Sequence, residues 1–211
     1  RAMRKSESEV TAGRVRLGPD FVNGGWAFDD NGHGTAVAGI AAALGNNNTG
    51  VAGVGWQVQP WAAKVLRWDG GGYATELIKG IGWADTMGIP ILNMSVGWTE
   101  GSPELGPDGH NLLADATLRA FTRGLFLVAA SGNTEEDLGP FYACPADLDT
   151  RVYTVGAFLP NGNRWQDGAE LQASDCTSNN PCLASNTGPF LDAMAPGGRL
   201  ISTTALGDTD Y

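Results

Sequence analysis

Charge is scarce in this chain: 17% of its 211 residues are Asp, Glu, Lys or Arg, and two are His. With 42% hydrophobic residues beside so little charge, the composition excludes a disordered chain and supplies enough apolar side chain for a sizeable core. The length suits one domain. Basic residues are the rarer sign, 13 against 23 acidic, for a net charge of −10. Such a surface repels phosphate backbones, which excludes nucleic acid as a partner. It fits a soluble, secreted protein or one with acidic cation sites. Long apolar runs are missing, so no membrane partner is expected. No apolar stretch follows Arg4-Lys5 as a signal peptide would require, which says nothing of export if the chain continues upstream. Cysteine is limited to Cys144, Cys176 and Cys182, too few for a disulfide framework and not spaced as zinc ligands. Cys176 and Cys182 either close a small loop by oxidation or stay as two thiols.

Glycine is plentiful, with 31 residues, and it punctuates an alternation of helix-type and strand-type segments. Small apolar residues over 34–44 predict a buried helix, and residues 58–66 a strand. Residues 73–87 predict a helix with Leu77, Ile81 and Ala84 on one stripe. A strand follows over 89–94, then a helix over 112–121 stopped by Gly124. Residues 125–130 form a continuous apolar run, the pattern of a strand covered on both faces. Further strands are expected over 152–157, near 190–194 and near 199–202. With no repeat or linker in view, residues 1–211 read as a single domain. The order implies an α/β fold, a mostly parallel sheet flanked by helices, with reactive groups at the carboxyl ends of strands. Three notable stretches fall at such ends: Asp69-Gly70-Gly71-Gly72, Asn93-Met94-Ser95-Val96-Gly97 and Ser131-Gly132-Asn133.

The sharpest chemical feature is Asp30-Asn31-Gly32-His33-Gly34-Thr35. A histidine between glycines at the mouth of an apolar helix projects an imidazole from a rigid element, as general acid–base catalysis needs. Alone, it would read as an ordinary turn histidine. Asn133 could supply a carboxamide N–H to an oxyanion, or Ser131-Gly132-Asn133 could be a plain turn after a strand. Gly70-Gly71-Gly72 lacks the Lys-Ser/Thr of a phosphate loop, so close approach of a peptide backbone suits it better.

Taken together, these segments decide. Residues 32–40, Gly-His-Gly-Thr-Ala-Val-Ala-Gly-Ile, resemble the histidine segment of the subtilase family, peptidase family S8. The resemblance continues in order through residues 46–54, Ala63-Lys64-Val65-Leu66, the glycines at 70–72, residues 93–97, Ala129-Ala130-Ser131-Gly132-Asn133, Cys144-Pro145-Ala146, Val155-Gly156-Ala157 and residues 192–198. It implies a subtilisin-like three-layer fold and a secreted, extracellular serine endopeptidase that cleaves peptide or protein substrates through an acyl-enzyme. It makes His33 the general base and Asn133 the oxyanion donor. It assigns substrate binding to Leu66, Gly70, Gly71, Gly72, Ser95, Val96, Gly97, Ala130, Ser131 and Gly132, with Leu77 beside a substrate pocket. Ala143 and residues 137–141 would shape the main pocket. A propeptide would be a further partner. A structural Ca²⁺ would be held by the Asn47 side chain and the carbonyls of Thr49 and Val51, unless this stretch is only a polar turn before Gly50. The imidazole of His33 and the carboxamide of Asn133 are expected to face one cleft.

Two parts of the family pattern are missing. No Asp-(Ser/Thr)-Gly segment precedes His33; Asp20, Asp29 and Asp30 do not match it. No Gly-Thr-Ser-Met-Ala segment appears before Tyr211, and Ser202 belongs to an expected strand instead. The chain therefore reads as the central fragment of a longer enzyme, inactive by itself. The rivals are an inactive homologue kept as a peptide-binding or inhibitor-like module, and an unrelated nucleotide-binding domain.

Overall fold

Every pairing within the two sheets is parallel, as alternating strand and helix demand. The computed structural model describes residues 14–48, 50–98, 101–134, 145–148, 151–165, 184–198 and 200–203. The chain divides into two units, one of residues 1–80 with 201–211 and the other of residues 81–200.

In the first unit β1 (Arg16–Asp20) pairs with β2 (Trp61–Lys64). Nothing in Arg-Leu-Gly-Pro-Asp favours a strand, and only the partner makes it one. Between them α1 (His33–Ala42) is built from small residues and buries Gly39 and Ala42. Its last carbonyls lack partners within the helix. The returning chain supplies them: Gly53, Val54 and Gly55 donate N–H to Ala43, Ile40 and Ala41 at 3.0, 3.0 and 2.8 Å. A Cβ at Gly53 would stand 2.4 Å from the Ala43 nitrogen, so the return works only with glycine there. The expected strand near 199–202 is absent among the described residues. There Ser202 Oγ donates to the Ala36 carbonyl at 2.5 Å and Thr203 Oγ1 to that of Thr35 at 2.7 Å, so this segment spends its hydroxyls on α1 rather than on a ladder.

Helix α2 (Ala74–Thr86) starts in the first unit and ends in the second. At its start the Glu76 carboxylate accepts the Tyr73 N–H at 3.0 Å. The stripe read from the sequence is real: Leu77, Ile81 and Ala84 are all buried. Leu77, at 4% exposure, packs as core rather than offering a surface to substrate.

The second unit holds β3 (Ile91–Met94), β4 (Phe126–Ala130), β5 (Val152–Phe158) and β6 (Ala193–Pro196), hydrogen-bonded in that order. Helix α3 (Gly109–Thr122) buries Leu113, Ala116, Thr117 and Ala120, a spacing of one helical face, and packs against β4. Gly124, at φ +95°, ends it, with its N–H on the Phe121 carbonyl at 2.9 Å. The continuous apolar run of β4 is not covered on both faces. Leu127 and Ala129 are buried, whereas Phe126 is 50% exposed and stacks on Tyr153 of β5 with ring centroids 5.6 Å apart. The period of two therefore operates inside a run whose residue types conceal it.

Two glycines of like composition differ in consequence. Gly53→Ala should lower stability by about 1–3 kcal/mol, because the clash is with backbone. Gly82→Ala, in α2 with nothing within 4 Å, should raise it by about 0.5–1 kcal/mol. Urea unfolding of the two variants checks both.

Candidate active site

His33 is the first residue of α1 and is exposed. The helix begins there because its orphan N–H groups meet a carboxylate. Asp29 Oδ1 accepts the N–H of Asn31 at 3.0 Å and of Gly32 at 2.8 Å; Oδ2 accepts the Thr35 N–H at 2.7 Å and its hydroxyl at 2.6 Å. Gly32, at φ +106°, supplies the turn between the carboxylate and the helix. Burial pushes the Asp29 carboxyl up, but the Thr35 hydroxyl and three backbone N–H groups outweigh it and hold the group below its ordinary value. Asn31 ties this turn to the chain leaving β2: its Oδ1 accepts the His33 N–H at 3.2 Å and its Nδ2 donates to the Trp68 carbonyl at 2.9 Å. Asp30 and Lys64 form a second tie at 2.5 Å. Among the described residues no carboxylate pairs with the His33 imidazole, which is left open to solvent and ligand.

Beside this turn, Leu66 is half-buried and its carbonyl accepts from Lys64 Nζ at 2.6 Å. Residues 67–71 form a turn rather than a strand. Gly70 N–H donates to the Arg67 carbonyl, Gly71 N–H to Asp69 Oδ1, and the Gly71 carbonyl accepts from Arg67 N–H. Gly70, at φ +82°, lies beside Asn31, and a Cβ at Gly72 would come within 2.6 Å of the Val65 carbonyl.

In the second unit, parallel pairing of β3 with β4 brings two expected segments to the same end of adjacent strands. Ser95 and Val96, half-buried, and Gly97, exposed, follow β3, with Asn93 Nδ2 donating to Ser95 Oγ at 2.9 Å. Ala130 ends β4, and Ser131, Gly132 and Asn133 follow it. Ser131 is buried, and its N–H reaches the Val155 carbonyl at 2.9 Å, one rung past the ladder. Gly132 turns the chain at φ +94°. Asn133 stands exposed, and among the described residues its carboxamide makes no hydrogen bond, while its carbonyl accepts the Ala184 N–H at 3.2 Å. Pro145, Ala146, Asp147 and Leu148 are buried, and Ala146 is tied by its carbonyl to Thr154 Oγ1 at 2.7 Å.

An imidazole at a helix mouth and a carboxamide past a strand end are groups that proton transfer and oxyanion binding require. The sequence profile of the Subtilase family matches residues 21–210. The chain belongs to the subtilase family. It is 36% identical over 196 residues to subtilisin DY of Bacillus licheniformis, which spans 90% of this chain and 60% of that protein. It is 33% identical over 193 residues to thermitase of Thermoactinomyces vulgaris, covering 91% of this chain and 59% of that one. A crystal structure of a cold-adapted subtilisin-like serine proteinase superposes with a TM-score of 0.70 at 27% identity, covering 95% of this chain and 62% of that one. The chain thus spans about 60% of the length of these relatives, and it has the subtilisin-like α/β fold of parallel sheets flanked by helices.

Several residues of this subtilase do work that the sequence reading missed. Asp29, set aside as no match for the family's aspartate, is the clamp on α1. An acid just before a helix with Thr at the third helical position was a readable sign of it. Asn31 and Lys64 carried no sign beyond polarity. Thr49, Cys144, Cys176, Cys182, Ala143 and residues 137–141 lie outside the described residues. The loop that carries the expected calcium donors turns sharply at Asn46 and Asn48, at φ 60° and 56°; Asn47 and the two carbonyls would supply three of the roughly six to eight oxygens that Ca²⁺ takes. Among the described residues no cluster of three or more His, Cys, Asp or Glu adds to them.

The Asp29 clamp has a pH signature. A carboxyl held below its ordinary value of 3.8 stabilises the fold above that pH, and the contribution is lost as the pH falls through the lowered value. Asp29→Ala should therefore cost about 1 kcal/mol at pH 7, and the gap to the parent should close in acid. Thermal unfolding of both proteins across pH checks this; a gap that widens in acid would contradict it.

Proposed function

We propose that this chain is the central part of a subtilisin-like serine endopeptidase domain, in which His33 and Asn133 serve one reaction. The observation that carries the reading is that both side chains are exposed and, among the described residues, uncommitted, while the backbone beneath each is pinned. Their positions also match the family's motifs in a chain that matches the family over residues 21–210.

In this reading a serine hydroxyl from the family's nucleophile motif, outside these residues, attacks the scissile carbonyl. His33 takes the hydroxyl proton and passes it to the departing amine. The carbonyl oxygen becomes an oxyanion, and Asn133 Nδ2–H donates to it more strongly in the transition state than in the ground state. Water then repeats the sequence on the acyl-enzyme. The turn at Gly70, Gly71 and Gly72, with Leu66, and the strand exit at Ser95, Val96 and Gly97 flank the substrate peptide. Ala130, Ser131 and Gly132 line its path toward Asn133. Substrates are peptides or proteins, a propeptide is a further partner, and the protein is secreted. Ser202 has no part in the chemistry, since its hydroxyl is spent on the Ala36 carbonyl.

The test uses the longer protein that carries this chain and a chromogenic peptide. In subtilisin itself, loss of such a donor lowers kcat by about 10²–10³, and that established magnitude sets the expectation for Asn133→Ala. His33→Ala should lower kcat by about 10⁴ or more. Residues 1–211 alone should show no turnover. Activity that survives His33→Ala, or turnover by the 211-residue piece that His33→Ala abolishes, would refute the assignment.

A further inference from the structure

The oxyanion segment is held by a side chain that the mechanism above does not use. Asn186 is completely buried. It sits on the short stretch that returns beside the end of β4, where Ala184 bridges to Thr134. Its Oδ1 accepts two hydrogen bonds from Thr134, the backbone N–H at 2.9 Å and the hydroxyl at 3.0 Å. Its Nδ2 donates to the Ser131 carbonyl at 2.9 Å, and its own N–H donates to the Gly132 carbonyl at 3.0 Å. Ala184 N–H takes the Asn133 carbonyl. One short stretch therefore binds three successive carbonyls, those of 131, 132 and 133, and the amide of 134. Ser185 anchors that stretch to the sheet: its Oγ accepts the Ala157 N–H of β5 at 2.9 Å and lies 3.3 Å from Ser131 Oγ.

From this geometry we infer that Asn186 is a positioning residue for Asn133, fixing the backbone on either side of it so that the carboxamide is aimed before substrate arrives. The physical case is one of tolerance. An oxyanion donor acts over a few tenths of an ångström, and preorganised donors need no rearrangement during the reaction. Gly132, at φ +94°, gives the segment a pivot immediately before Asn133. Without Asn186, the residues on both sides of that pivot, Ser131 and Thr134, each lose a partner. The larger effect falls on the transition state, because Asn186 is buried beneath the segment and the oxyanion donor needs the tighter placement.

This inference rests on the assignment of Asn133 as oxyanion donor, and the test separates the two. In the full-length enzyme, kcat and KM are measured for Asn133→Ala, Asn186→Ala and the double variant. Asn186→Ala should lower kcat by about 10- to 100-fold, the scale of a displaced catalytic group, with a smaller change in KM. In the Asn133→Ala background it should lower kcat no further, because the group it aims is gone. An equal drop in both backgrounds overturns the positioning role alone. Wild-type kcat for Asn133→Ala overturns the oxyanion assignment and this inference together. Should Asn186→Ala not fold, Thr134→Val serves in its place. Thr134 is exposed, and the change removes only the hydroxyl half of the Oδ1 contact. It should lower kcat by a smaller factor, again only when Asn133 is present; no drop, or the same drop in both backgrounds, overturns the proposal.

Discussion

The parallel register of β3, β4 and β5 is the constraint on which the second half of this molecule depends. Met94 stands beside Ala129, and Ala129 beside Thr154. Because the strands run the same way, the chain leaves β3 and β4 at one edge, and Ser95 and Ser131 emerge as neighbours. An antiparallel pair would send these segments to opposite ends, and no loop chemistry could reunite them. The Ser131 N–H extends the ladder by one rung onto Val155, so the turn that presents Asn133 starts from sheet geometry rather than from a free loop.

A different device meets the same need at His33. A helix mouth leaves several N–H groups without partners. The Asp29 carboxylate takes three backbone N–H groups and one hydroxyl there, and Asn31 takes the N–H of His33 itself. The cost of burying part of a carboxylate is offset by charge-assisted bonds, each stronger than a neutral one. In both places the backbone is satisfied by protein groups, while the side chain above it makes no hydrogen bond among the described residues. A pinned backbone is one part of the support that a reactive position would need.

Much of this was legible in the sequence, and the exceptions share a cause. Helices α2 and α3 announced themselves through apolar stripes, and strands β3, β4 and β5 through short apolar runs between glycines. The segments that match the family, residues 32–40 and 129–133, were legible because each is a compact string of residues. Strand β1 was not, since Arg-Leu-Gly-Pro-Asp has no strand preference and owes its form to β2, about forty-five residues downstream. The open face of β4 was hidden because Phe126 and Leu127 are chemically alike, and only the position of α3 decides which is buried. Asn186 was hidden for a third reason. Its partners lie 52 and 55 residues away in the chain, and a buried polar residue in a polar stretch has no periodicity to betray it.

Why the position should be asparagine follows from counting donors and acceptors. Beneath residues 131–134 the Asn186 side chain donates to the Ser131 carbonyl and accepts from the N–H and the hydroxyl of Thr134. A single side chain must therefore donate once and accept twice at two atoms joined through one carbon. An aspartate can accept but cannot donate to Ser131, and would bring a buried charge besides. A leucine has the same branching but no polar atom, and would take this partner from the Ser131 carbonyl and the Thr134 N–H. The primary amide alone among side chains of this length satisfies the set. Because the cost of failure is borne by the backbone on both sides of Gly132, the segment has little freedom to adopt another shape while that amide is in place.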